Sequence, residues 1–457
     1  MSRPRWVVRD IKNSHRAPMV GVQSQRGAAS LIVVMVLFFL MSLVAAYTSR
    51  NLIFEQRVSL NQYRSTQAFE AAEAGLEWAL AMLNSGRINA ACLELPATIA
   101  DTSFRQRYLN INPVTGPASP NITAKKWSPA AGVDIELTPS CVFDGTDWTC
   151  SCPSNGAPVL AAPGVAGVFP AFRIRFTSLD AAKPGVIRIE SNGCTRAASD
   201  CLDFPVKAVE SEGRATVTAL VALRNALSTP PSAAITVLGK LSTGSAVNVY
   251  NTEPDRGGIA VQAGGALELP NSNVFHTIPG TSAVNARVFN DTSLSSLSAA
   301  PDRVFASSFG VWPATYRLQP AAVQVACPVG DCRADLANAV ARNPDRVIWV
   351  VGDLTLGSAG DVGSLPDPAN PAVAGPAAIV VTGKVHFTAA GVRIFGFIYS
   401  RTGDWLGPGE VQGAAFIEGD LAATAAATVV MNGTVLDALG QRHGSFVRIP
   451  GGWKDFK

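Results

Sequence analysis

The sequence predicts an α+β fold that is mostly β, and three observations carry that prediction. Residues 28–49 contain no ionisable side chain apart from Tyr47, the chain continues without proline at helical spacing to Leu83, and short alternating or aliphatic runs recur from Phe172 onward. The predicted order is a basic leader over 1–27, a transmembrane plus amphipathic helix over 28–86, and a head of loops and antiparallel sheet over 87–226. A linker over 227–234 and a β-rich repeat region over 235–457 complete it. A chain of 457 residues exceeds one ordinary core, so two or three domains are expected.

Crossing a hydrocarbon layer of about 30 Å takes about 20 apolar residues at 1.5 Å rise, and only the Ala28–Ser49 run supplies them. Beyond it Phe69, Ala72, Leu76, Leu80 and Leu83 fall three or four apart, the spacing of one helix face. Asn84, Ser85 and Gly86 then supply C-cap chemistry. Arg3, Arg5, Arg9, Lys12, Arg16 and Arg26 stand before the span against Asp10 alone, which holds the N-terminus in the cytoplasm and places the rest outside the inner membrane. A secretory signal would be cut at a small-residue site such as Ala45–Ala46; the length of the run and its coherent continuation argue against that. A plain signal-anchor shares the basic flank and greasy span.

Gln25, Arg26, Gly27, Ala28 and Ala29, the apolar run, and then Gln67, Ala68, Phe69, Glu70, Ala71, Ala72, Glu73, Ala74, Gly75 and Leu76 form a pattern that resembles the N-terminus of the PilX family of minor type IV pilins. More loosely it is similar to the K-type minor pseudopilin of type II secretion. The resemblance implies cleavage by a prepilin peptidase between Gly27 and Ala28, with the helix retained in the mature chain. Initiation at Met19 would leave the short leader usual for the family. It further implies an inner-membrane precursor that passes to the periplasm and the fibre at the cell surface. The implied partners are other minor pilins, the major pilin and the inner-membrane assembly platform. One position departs from the pattern: the fifth mature residue is Ile32, where most pilins carry a glutamate that partners a neighbour's N-terminal amine. An unpartnered carboxylate is costly in lipid, and a subunit with nothing above it has no need of one. A minor, tip-proximal subunit is therefore expected, and a pseudopilin would be told apart by an inserted helical domain.

Net charge is +3 with 16% charged residues and no basic run outside the leader, so nucleic acid is not an expected partner. Eight cysteines in an exported chain read as four disulfides. Spacing assigns the short loops Cys194–Cys201 and Cys327–Cys332; Cys141 lies near both Cys150 and Cys152, and Cys92 is left for the remainder. CPVGDC has a zinc-ribbon spacing, but no second paired unit lies nearby, so no metal or other cofactor is expected.

Residues 95–168 are rich in proline, glycine and asparagine and read as loops. Three alternating runs follow, Phe172–Thr177, Ile187–Ser191 and Ala215–Leu223, which predict an antiparallel sheet packed on the amphipathic half of the helix. After LSTPPSAA (227–234) a loose repeat begins: ITVLGKL (235–241), IWVVGDL (348–354), IVVTGKV (379–385) and AFIEGDL (415–421), with VRIFGFIYS (392–400) between the last two. Short strands recurring with glycine at the bends favour a β-solenoid over a β-sandwich. The charged sixth residues Lys240, Asp353, Lys384 and Asp420 are expected to face water.

Many solenoids cleave polysaccharides with paired carboxylates, and Asp353 and Asp420 occupy equivalent repeat positions. Acidic turn residues are commonly solubilising, and His276, His386 and His443 show no metal spacing, so no enzyme is expected. A membrane-anchored carbohydrate-binding or carbohydrate-cleaving solenoid is the alternative, to be recognised by a groove with clustered acids and aromatics. Trp405, Trp453 and Phe456 are the candidate exposed aromatics, with the C-terminal PGGWKDF expected to cap the open end of the repeat region.

Overall fold

The computed structural model describes residues 26–94, 101–112, 120–160, 163, 169–179, 183–204, 213–243, 247–269, 274–327, 330–367, 375–403, 405–423 and 426–455. The leader up to Gln25 therefore lies outside the described residues. The chain divides into two units, Met1–Gln62 and Tyr63–Lys457. One helix, α1 (Arg26–Leu83), runs 58 residues without a break, as expected of a chain with no proline between. It stops where Asn84 folds its amide back onto the Leu80 carbonyl at 3.0 Å.

The head sheet is antiparallel. Its strands are β1 (Ser140–Phe143), β2 (Trp148–Ser151), β3 (Ala171–Ser178), β4 (Val186–Cys194) and β5 (Arg214–Asn225), in the order β5-β4-β3-β1-β2. Phe172, Ile174, Ile187, Ile189, Val217 and Val221 are buried at alternate positions, which is the pattern their sequence spacing predicts. The stretch 95–168, expected as loops, contributes β1 and β2 and also the antiparallel pairs Leu109–Asn112 with Asn121–Ala124 and Lys126–Ala130 with Val133–Glu136, strands too short for a period-2 signal to emerge.

From Ala233 to Met431 the strands pair in parallel ladders, with helices between some of them. Val261, Ile235, Ala415, Ile398, Ile379, Ile348 and Val323 are successive neighbours across one sheet. The four repeat copies thus lie in register, and their seventh residues stack in the same way, Leu241 on Leu421 and Leu354 on Val385. Two further copies depart from the repeat pattern. Val261–Leu267 keeps the glycine at position five but has Ala266 in place of the charge, and Ile398–Trp405 carries one extra residue before its glycine. The first copy in the chain lies beside the last, Ile235 against Ala415.

The charged sixth residues do more than face water. Asp353 Oδ1 accepts the Lys384 backbone N–H at 2.8 Å, and Asp420 Oδ1 accepts that of Lys240 at 2.8 Å. A Cβ on Gly383 or Gly239 would lie 2.2 or 2.1 Å from those same carboxylate oxygens. Glycine is required there for close approach, and each aspartate caps the backbone of the neighbouring turn.

In the segment 227–234, expected as a linker, Leu227 is buried and the Ser228 N–H donates to the Ser308 carbonyl at 2.7 Å. The expectation about the far end of this region needs correction. The C-terminal segment does not cap the repeats. The strand Gly444–Lys454 returns to the head and pairs antiparallel with β5, from Asn225 opposite Gly444 to Thr218 opposite Lys454. Trp453 lies opposite Ala219 at the sheet edge, half-exposed, while Phe456 is outside the described residues. Trp405 is buried and stacks on Phe387 with ring centroids 4.6 Å apart.

A buried polar junction holds that return. Helix α2 (Phe104–Tyr108) carries Arg105, fully buried, which donates from Nε to the Leu83 carbonyl at 2.8 Å, from Nη1 to Arg442 at 3.3 Å and from Nη2 to Gly444 at 3.0 Å. Desolvation lowers its pKa to about 10, so it remains a cation at neutral pH. Asn84 clasps Phe446 by two bonds, accepting its N–H at 2.8 Å and donating to its carbonyl at 3.0 Å. Asp345 receives the Gln106 amide at 3.2 Å and lies 3.5 Å from Arg442 Nε.

His443, in the same junction, is buried, and desolvation pushes its imidazole from 6.5 down to about 4. Between those values the unfolded chain takes up a proton that the folded chain refuses. Stability is therefore complete above about pH 6.5 and falls as pH drops toward 4. At about 1.4 kcal/mol per pH unit the loss is about 3 kcal/mol. Urea unfolding across this window should show that decline, and His443→Gln should flatten it.

Candidate functional site: the long helix and its seat

The first half of α1 presents an apolar surface. Phe38 is 73% exposed, Phe39 67% and Ile32 60%, and its most apolar window has a mean hydropathy of 2.6. Thr48 returns its hydroxyl to the Val44 carbonyl at 3.0 Å, satisfying the polar group nearest the end of the run. The helix is long and apolar enough to cross a bilayer, and Gly27 and Ala28 lie in its first turn.

The block Gln67–Leu76 is the seat of the helix on the head sheet. Ala68, Ala71, Ala72 and Leu76 are buried while Glu70 and Glu73 point outward, so small residues face β4 and acids face water. A Cβ on Gly193 would lie 2.2 Å from the Ala68 carbonyl oxygen and 2.3 Å from the Ala72 nitrogen. A Cβ on Gly75 would lie 2.5 Å from Ser191 Oγ and 2.7 Å from the Phe172 ring. At Gly193 helix and strand backbones touch, and at Gly75 the helix backbone closes on the Ser191 and Phe172 side chains, so neither place has room for a larger residue. Phe69 and Leu80 are partly buried beside this contact.

The structure pairs all eight cysteines: Cys92–Cys152, Cys141–Cys150, Cys194–Cys201 and Cys327–Cys332. Three of the four lie in the head, where Cys92–Cys152 ties the turn after α1 to the end of the β1–β2 hairpin. Their choice between Cys150 and Cys152 was open in the sequence because hairpin register decides it: Cys141 stands directly opposite Cys150. Among the described residues no group of three His, Cys, Asp or Glu side chains is placed to hold a metal. His276 stacks on Tyr250 with centroids 4.1 Å apart, and His443 belongs to the junction.

Residues 26–77 match the family model described as PilX N-terminal. The match falls on the first 52 residues of α1. No curated protein matches the chain. Similar solved structures include an ice-binding protein from an Antarctic Biological Consortium, 13% identical, with 46% of this chain and 94% of that chain covered at a TM-score of 0.26. An ice-binding protein domain of Shewanella frigidimarina is also 13% identical, covering 46% and 99% at a TM-score of 0.20. The competence-associated pilin ComZ from Thermus thermophilus is 13% identical, covering 86% and 97% at a TM-score of 0.20.

Gly193→Val should unseat the helix. Overpacking a backbone contact costs about 3 kcal/mol, so the variant is expected to unfold at clearly lower urea than the parent, whereas Glu73→Gln on the outer face should leave the midpoint unchanged.

Proposed function

We propose that the protein is a non-enzymatic minor pilin of PilX type that takes part in type IV pilus assembly at or near the fibre tip. The observation that carries this reading is the PilX N-terminal match, which falls on one unbroken helix with an exposed apolar first half and a second half seated on an antiparallel sheet. In this reading the precursor sits in the inner membrane with its N-terminus cytoplasmic and its bulk in the periplasm. The prepilin peptidase cuts between Gly27 and Ala28. The apolar surface packs in lipid against the helices of other minor pilins and the major pilin, and on extraction by the assembly platform it becomes buried in the fibre. Ile32 in place of an acid suits a subunit without a neighbour above it.

The region from Ala233 to Met431 is then a β-solenoid displayed beyond the head, a reading supported by its parallel in-register ladders. Catalysis by Asp353 and Asp420 is disfavoured because they lie three ladder steps apart, about 14 Å at the usual strand spacing. Carboxylate pairs that cleave glycosides are at most about 10 Å apart. Glu418, whose carboxyl pKa burial raises, is committed to the Tyr399 hydroxyl at 2.7 Å and to Arg401 at 3.1 Å.

N-terminal sequencing of protein purified from cells with and without an active prepilin peptidase tests the proposal. A mature chain starting at Ala28 is expected only when the peptidase is present, and Gly27→Glu should leave the precursor uncut. A start beyond Tyr47, or an unclipped chain in peptidase-positive cells, would overturn it.

A further inference from the structure

At one corner of the parallel stack the chain turns into successive strands through Gly360, Gly391, Gly409 and Ala426, and beside these corners lies a cavity of about 670 Å³. The floor is fixed by the packing beneath it. A Cβ on Gly409 would strike the Phe387 ring at 2.2 Å, and Gly391 adopts φ +79°. One wall is a row of polar side chains on neighbouring strands in register, Asp361, Arg393, Glu410 and Thr428. Arg393 donates to both carboxylate oxygens of Asp361, at 2.8 and 2.9 Å, and lies over the Phe395 ring 5.7 Å from its centroid. Gln412 donates to Glu410 Oε1. Asp361 and Arg393 nonetheless remain 42% and 49% exposed. The wall is thus preorganised before any ligand arrives, with acceptor, donor and acceptor repeating at about 4.8 Å from strand to strand.

We propose that this corner groove binds an uncharged glycan chain. Other occupants fit worse. A polyanion would meet two carboxylates around a single guanidinium that is already paired. A divalent cation would have to break a bidentate ion pair to reach Asp361. A peptide strand would need free backbone groups, and the strands bearing Arg393, Glu410 and Thr428 are paired on both sides. A chain of sugar rings needs what is present: corners of glycine and alanine that let rings approach, and fixed groups of both polarities for hydroxyls. Four strands border the groove, a length of about 14 Å, which suits a short run of rings rather than one. Nothing in this inference depends on processing at Gly27.

The test is calorimetric titration of the full chain, in a detergent without a sugar headgroup, with neutral cello-, chito- and malto-oligosaccharides. Alginate oligomers and calcium chloride serve as comparisons. Saturable binding of at least one neutral series is expected, tightening from the dimer to longer oligomers. Arg393→Ala, which removes the central donor, should weaken it about tenfold, the effect of one charged hydrogen bond. Ala390→Trp, which fills the groove and leaves the ion pair intact, should abolish it while the unfolding midpoint stays that of the parent. No heat with any neutral oligosaccharide from folded protein would overturn the proposal. So would binding that survives Ala390→Trp, or binding restricted to alginate or calcium.

Discussion

A guanidinium with no water around it ties the molecule together. Arg105 satisfies the last turn of the long helix through Leu83 and holds the returning chain through Arg442 and Gly444. Removing it would leave three carbonyls without their donor, and a buried polar group without a partner is among the most destabilising changes a fold can suffer. The neighbouring groups repeat the theme: Asn84 reads the backbone of Phe446 on both its donor and its acceptor, and Asp345 meets Gln106. The polar junction thus does for the head and the repeats what a hydrophobic interface does elsewhere, and it does so with directional bonds that specify one docking geometry.

Most of the helix and the head was legible because amphipathic elements advertise themselves. Phe172, Ile174 and Phe176 alternate with Arg173, Arg175 and Thr177, and one face of that alternation is buried. The repeat was legible for a different reason: close approach between turns forces glycine at the fifth position, so a backbone requirement becomes a sequence mark. Where that mark was diluted, by Ala266 for a charge or by an extra residue before Gly403, the copy went unread. Arg105 was illegible because Phe-Arg-Gln-Arg-Tyr looks like a solvent-facing turn; only its distant carbonyl partners make burial affordable. The final strand was misplaced for the same reason, since its partner β5 lies more than two hundred residues earlier.

The order of coils has a kinetic side. The copy at Ile235 is flanked by Val261, which follows at once, and by Ala415, which arrives near the end of the chain. Half of its hydrogen-bonding edge therefore waits for the last part of the chain. Contacts of such long sequence separation slow folding, because the entropy of closing the loop must be met before the pairing rewards it. Three disulfides and a helix already seated through Gly193 and Gly75 give the head a nucleus during that interval.

Because the strand Gly444–Lys454 is part of the head sheet, the repeat region is held at both of its chain ends, by the packed segment after β5 and by the return at Gly444. A body hung from one peptide swivels; one fastened at two separate places resists torque. Any load on the outer coils would divide between two paths into the same sheet, and the β5 pairing would be pulled along its length, the direction in which its hydrogen bonds must fail together.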